Sequence, residues 1–118
     1  MRSYTFLTIA IVLLLFSSCQ KDKLPAPSFP ANISFKTDIA PIFNKKCISC
    51  HGGATQPNLK TNLYKTLVST NIHGTGVDTK TPSNSGIIKT LNGKMNGKMA
   101  SNEVNLVLGW ITQGAKNN

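Results

Sequence analysis

Residues 47–53 read CISCHGG, placing two thiols three positions apart with an imidazole directly behind the second. Four chemistries could use that arrangement. A disulfide between Cys47 and Cys50 would close a tiny loop and constrain the unfolded chain little, so it is a weak sole staple. A thioredoxin-like redox pair wants a strand before it and a helix after it, and neither flank alternates like a strand. A structural zinc ion takes four ligands; the chain offers Cys47, Cys50, His51 and one other histidine, His73, without a second paired knuckle. The fourth chemistry is covalent haem attachment, which C-x-x-C-H specifically suggests. Each thiol bonds one vinyl-derived carbon of the porphyrin, and the adjacent histidine lies under the iron. That reading consumes both cysteines and the histidine; a disulfide or zinc domain without haem stays open as the alternative.

The third cysteine, Cys19, sets the compartment. Arg2 precedes an apolar run from Phe6 to Phe16 broken only by Thr8, and small residues follow before Cys19, which is a secretory signal layout. The run is well short of the roughly 20 apolar residues a membrane-spanning helix needs. LFSSC resembles a bacterial lipoprotein signal, cut before the cysteine that then receives lipid, although Phe16 stands where Leu is usual. Residues 1–18 are thus expected to be a signal peptide and Cys19 a lipidation site, since two or more acyl chains hold a protein stably to a membrane. The mature protein would sit in the bacterial cell envelope outside the cytoplasm, facing the periplasm or on the outer surface. Residues 19–33 carry Pro25, Pro27 and Pro30 and no hydrophobic periodicity, so they read as a semi-rigid spacer of up to about 3.1 Å per residue.

What remains, residues 34–118, is one small domain, of a size that usually enlists disulfides, a metal or a cofactor to complete its core. Cleavage before Cys19 leaves twelve lysines against Asp22, Asp38, Asp78 and Glu103, a net charge of +8. That excess favours acidic partners or an anionic surface. Nucleic acid is disfavoured, because the chain is read as exported and its lysines are dispersed with little aromatic interleaving.

The elements that must position the motif are helical. Upstream, Phe35, Ile39, Ile42 and Phe43 fall at helical spacing, with Ser34 or Thr37 as N-cap. Pro41 costs nothing if that helix starts at Asp38 and bends it if the start is Ser34. A short helix is expected over about 62–68, a long loop over 69–83, and another short helix around Ile87, Ile88 and Leu91, stopped by Asn92-Gly93. KMNGKMA reads as a turn-rich stretch with two methionines. The last helix is the clearest: Ser101 can cap it, Glu103 suits its positive end, and Gly114 can terminate it. Val104, Val107, Leu108 and Ile111 form its apolar stripe, widened by Leu106 and Trp110. No segment alternates like a strand, so the fold class is all-α.

Together DIAPIF, CISCHG, a methionine-bearing loop and EVNLVLGWITQGA resemble a class I c-type cytochrome over residues 34–116, in particular the small single-haem domains of extracytoplasmic bacterial proteins. The resemblance implies a cytochrome c-like fold of three to five short helices around one covalently attached haem c. First and last helices would cross, with Phe43 and Trp110 as candidates for the crossing. It further implies His51 as one axial ligand and a methionine sulfur as the other, from a loop before the last helix and often followed by proline. No proline follows either candidate here. Met95 lies six residues before Ser101 and has room to turn back over the haem; Met99, two residues before it, can instead staple the helix start. Met95 is the preferred distal ligand and Met99 the alternative. His73, beside Gly74, is expected in solvent.

A His/Met pair raises the reduction potential, which suits electron carriage. Lys45, Lys46, Lys94 and Lys98 could ring an exposed haem edge and steer an acidic redox partner, or be merely solvated. With four acidic residues, no paired carboxylates, no Ser-His-Asp set and no phosphate-cradling glycine loop, an electron-transfer protein is expected rather than an enzyme. The enzymatic alternative is a haem peroxidase or sensor with an open iron position.

Overall fold

The computed structural model describes residues 28–69 and 76–118. The signal segment, Cys19 and His73 lie outside them. Among the described residues seven helical elements follow one another: a π-helical turn Phe35–Ile39, α1 Ala40–Lys46, α2 Ile48–His51, α3 Leu63–Val68, a 3₁₀ turn Pro82–Asn84, α4 Gly86–Asn92 and α5 Ser101–Thr112. The described residues contain no strand, as the absence of alternation predicts, and none of their helices is long and apolar enough to cross a membrane.

The entry to the first helix reconciles Ser34 with Pro41. Ser34 Oγ accepts from the Thr37 amide at 3.4 Å, and Asp38 Oδ2 accepts from the Ser34 amide at 2.7 Å. This is a reciprocal cap with the acid one position later than in a regular helix, because the π turn holds an extra residue. The Ala40 amide bonds back five residues to the Phe35 carbonyl, and Pro41 then falls in the first turn of α1, where its missing N–H costs nothing.

α5 is the pillar of the core. Val107, Trp110 and Ile111 are fully buried on it, so Trp110 stands at the centre of the apolar stripe rather than at its margin. The π turn and α4 both pack on this helix. Trp110 meets Phe35 at 5.5 Å and Tyr64 at 6.2 Å between ring centroids, and Phe35 meets Tyr64 edge-on at 5.1 Å. The aromatic contact of the first helical segment with Trp110 is therefore made by Phe35, where Phe43 was expected. Residues eight apart on a helix lie about 12 Å apart along its axis, so one helix cannot bring both rings to the same partner. Phe43 is instead buried one step nearer the cysteines.

The packed body begins upstream of residue 34. Ile33 is 3% exposed, and Phe29 packs on the core. Gln113 clamps this arm by accepting from the Ile33 amide at 2.9 Å and donating to the Pro30 carbonyl at 2.7 Å. A Cβ on Gly109 would come within 2.7 Å of both Phe29 and Ile33, so the bare glycine backbone makes the seat for the arm. The arm and the chain end meet as well: the Asn118 main-chain oxygen accepts from the Lys36 amide at 2.9 Å, and its side chain accepts from the Phe35 amide at 3.0 Å.

α5 ends as its glycine predicts. The Gly114 amide bonds to the Ile111 carbonyl and the Ala115 amide to the Trp110 carbonyl, the paired bonds of a Schellman motif, with Gly114 at φ +96°. A Cβ there meets nothing within 4 Å, so Gly114→Ala isolates the backbone cost. It should destabilise by about 1–2 kcal/mol and lower Tm by roughly 5–10 °C. An unchanged melting curve would contradict the role assigned to this turn. At the other end the cap is Ala100, not Ser101, in extended conformation, and Ala100 has no side-chain acceptor to offer. The shift places Glu103 at the third helical position, from which its carboxylate accepts from the Ala100 amide at 2.7 Å. A charge-assisted bond outweighs the hydroxyl cap that Ser101 would have supplied.

Candidate haem-attachment site

α1 and α2 deliver the motif. The Cys47 amide bonds to the Phe43 carbonyl at 2.9 Å, and the Cys50 and His51 amides return to the Cys47 carbonyl at 3.2 and 2.8 Å. One tight helical turn thereby sets the thiols at i and i+3 on neighbouring positions of one face, with His51 immediately after. Both cysteines are free thiols, Cys47 half-buried and Cys50 exposed.

His51 is braced twice by the segment that follows. Its Nδ1 lies 3.2 Å from the Pro57 carbonyl oxygen, and its own carbonyl accepts from the Leu59 amide at 2.7 Å. A carbonyl only accepts, so Nδ1 is the donor here, and the neutral ring then has its lone pair on Nε2, free for a metal. Pro57 escaped the sequence reading because its contribution is a backbone oxygen, which no side-chain motif records.

Cys47, Cys50, His51 and Met95 all border one cavity of about 260 Å³. Its walls are mainly apolar, with Phe43, Leu59 and Leu67 from the attachment side of the sequence and Ile87 and Leu91 from α4. Met95 is half-buried at the cavity. Met99 does not line it; at 7% exposure it packs in the core, one residue before the α5 cap, as a staple residue does. Of the four lysines expected around the site, Lys46 and Lys98 border the cavity, while Lys45 and Lys94 are exposed without lining it.

Two thiols, one available imidazole nitrogen, a thioether and an apolar pocket fit a covalently held haem. Among the described residues no group of three or more His, Cys, Asp or Glu is placed to hold a metal ion; His73, the fourth ligand of the zinc reading, lies outside them.

Charge around the thiols differs between the two. Burial first, then the neighbouring Cys50 and Glu103, push the Cys47 thiol above its ordinary 9.0. Before haem is attached, iodoacetamide at mildly alkaline pH should therefore alkylate exposed Cys50 ahead of Cys47, and the gap should narrow as pH rises past 9.0. Peptide mass spectrometry of quenched samples reads the order; equal rates throughout would contradict it. The sign for stability follows. Folding favours the protonated thiol, so this contribution is complete below the unfolded value and is lost as pH rises through the folded one.

Compared with known protein families, curated proteins and solved structures, the chain matches none, so its function rests on the arrangement of its own residues.

Proposed function

We propose that this protein is a membrane-tethered, single-haem c-type cytochrome that carries electrons one at a time between redox partners of the bacterial cell envelope. The observation that carries the reading is the convergence of Cys47, Cys50, His51 and Met95 on one apolar cavity, with the His51 ring oriented by the Pro57 carbonyl.

When bound, haem supplies a one-electron iron couple; the chain supplies attachment, ligation and environment. The Cys47 and Cys50 thiols would hold the group covalently, each adding S–H across one vinyl group to give a thioether. His51 would offer Nε2 and Met95 its Sδ to hold the iron. Phe43, Leu59, Leu67 and Leu91 line the cavity and would keep water from the iron and hold the dielectric low. Ligation by both His51 and Met95 would leave no iron position for a peroxide or a sensed gas, whereas the peroxidase or sensor alternative needs one open. The cytochrome c-like fold belongs to this proposal, and so does the anchor: lipid on Cys19 with a spacer from residue 20 to the start of the packed arm would let the domain reach different partners.

An acidic partner is favoured by how the charges are spent. Asp38 and Glu103 each take a backbone amide at a helix start, and Asp78 takes the Lys80 and Thr81 amides in its own loop, which holds its carboxyl below the usual 3.8, the Thr81 side-chain bond contributing most. Among the described residues only Lys46 of the lysines makes an ion pair. The association rate with an acidic redox protein should fall steeply with ionic strength, by tenfold or more between about 0.01 and 0.15 M salt. A rate flat in salt by stopped flow would refute electrostatic steering.

The test of the proposal is an optical spectrum of protein exported by a host competent in haem attachment, before and after denaturing extraction. Sharp low-spin bands on reduction, a sulfur-to-iron absorption in the oxidised form and colour that survives extraction are expected. A colourless product would overturn the cytochrome; a high-spin, ligand-binding spectrum would turn it into a peroxidase or sensor. Mass spectrometry of the mature N-terminus checks the lipid on Cys19.

A further inference from the structure

We infer that Glu103 is a positioning residue for the loop bearing Met95, tying the end of that loop to the Cys47 segment through Lys46. The inference rests on the cytochrome reading and deepens it. One carboxylate oxygen carries both links: Glu103 Oε2 accepts from the Ala100 amide at 2.7 Å and faces Lys46 Nζ at 3.7 Å. Ala100 is where the methionine loop stops and α5 begins. Lys46 ends α1, immediately precedes Cys47 and borders the cavity.

The hydrogen bonds at the far end of the loop are all local, while Met99 near its other end packs in the core. The Met95 amide bonds to the Thr90 carbonyl at 2.9 Å, the Asn96 amide to Gly93 at 3.0 Å and the Lys98 amide to Met95 at 3.1 Å. Gly97 at φ +78° adds a joint with no Cβ to restrict it. Nothing in that set fixes the stretch after Met95 to the side of the site that carries the cysteines. Glu103 does, because its oxygen is shared between the loop end and the residue before Cys47.

The other two described carboxylates make the contrast. Asp38 and Asp78 also accept backbone amides, but from residues within four positions of themselves, and neither joins separate elements. An α5 cap alone would need only the Ala100 bond. The Lys46 link brings together positions 46 and 103 and holds the carboxylate from its second side. At 36% and 21% side-chain exposure the pair is wet enough to yield when the loop moves. Glu103 touches neither the thiols nor the proposed ligands through a hydrogen bond, so it acts through the loop.

The experiment compares haem-loaded wild type with Glu103→Ala, Glu103→Gln and Lys46→Met, titrating the oxidised protein with imidazole, which competes with the methionine sulfur. Losing the double link should make imidazole bind about five- to tenfold more tightly in Glu103→Ala, with a weaker sulfur-to-iron band. Glu103→Gln, whose amide oxygen still accepts from Ala100, and Lys46→Met, which keeps the cap, should each fall between. A merely structural role would lower Tm and leave imidazole affinity where it was. That outcome in all variants overturns the inference, as does a sulfur-to-iron band that persists in Met95→Ala. If Glu103→Ala does not accumulate, the other two variants decide alone. A colourless wild type, by contrast, overturns the cytochrome reading itself.

Discussion

Replacing both Cys47 and Cys50 by serine is expected to abolish covalently held colour completely and to leave a domain close to unfolding. On the cytochrome reading these thiols are the only attachment points, and both border the cavity that the haem would fill. The second part of the effect comes from what that cavity leaves wet. Filling it covers the exposed faces of several apolar side chains, at about 1.5–3 kcal/mol for each one fully buried, so its loss costs on the order of 5 kcal/mol. A small domain has only about 5–15 kcal/mol in total. Single variants should retain one thioether and part of the colour. Haem staining after a denaturing gel reads attachment, and thermal melting reads stability. Colour that remained bound through denaturation in the double variant would mean that attachment lies elsewhere.

Met95→Ala and Met99→Ala should fail in opposite ways. Met95 borders the cavity and is half-buried, so its truncation should erase the sulfur-to-iron absorption and open the iron to added ligands, with modest loss of stability. Met99 is in the core and away from the cavity, so its truncation should keep the absorption while costing about 2–5 kcal/mol, as buried methionine-to-alanine changes do. Optical spectra and denaturant melts of the two variants separate the outcomes. An absorption lost in Met99→Ala and kept in Met95→Ala would reverse the assignment of the distal ligand.

Short-range signals were legible in the chain. The helix expected over about 62–68 runs Leu63–Val68, the stop at Asn92-Gly93 is where α4 ends, and Gly114 terminates α5 through its positive φ. The all-α character follows from the same periodicities. The C-x-x-C-H turn needs no distant partner to set its two thiols, because the helical repeat alone brings i and i+3 together. These features depend on residues a few positions apart, whose relations a linear reading can compute.

Signals that depend on distance in sequence were not legible, and two of the three corrections have that character, the helix cap being the local exception. Ser101 lost the cap to Ala100 because a carboxylate at the third position outcompetes a hydroxyl, a choice between two local options of similar appeal. Phe35 rather than Phe43 makes the ring contact with Trp110 because the place where two segments pack fixes which turn they share. Ile33 belongs to the packed body although the prolines around it suggest a spacer, since Gly109 and Gln113, far along the chain, make a seat for it.

The sequence by itself determined the chemistry on offer: two thiols and an imidazole in one turn, two candidate sulfurs before the last helix, and a charge excess that disfavours basic partners. Only the tertiary structure gave the two sulfurs different surroundings, leaving Met95 at the cavity and burying Met99. It alone brought Pro57 to the His51 ring and Lys46 to Glu103. The physical reason is that ligand and hydrogen-bond geometry act over about 3–4 Å, while the residues concerned are up to dozens of positions apart. Packing around α5 is what turns the one separation into the other.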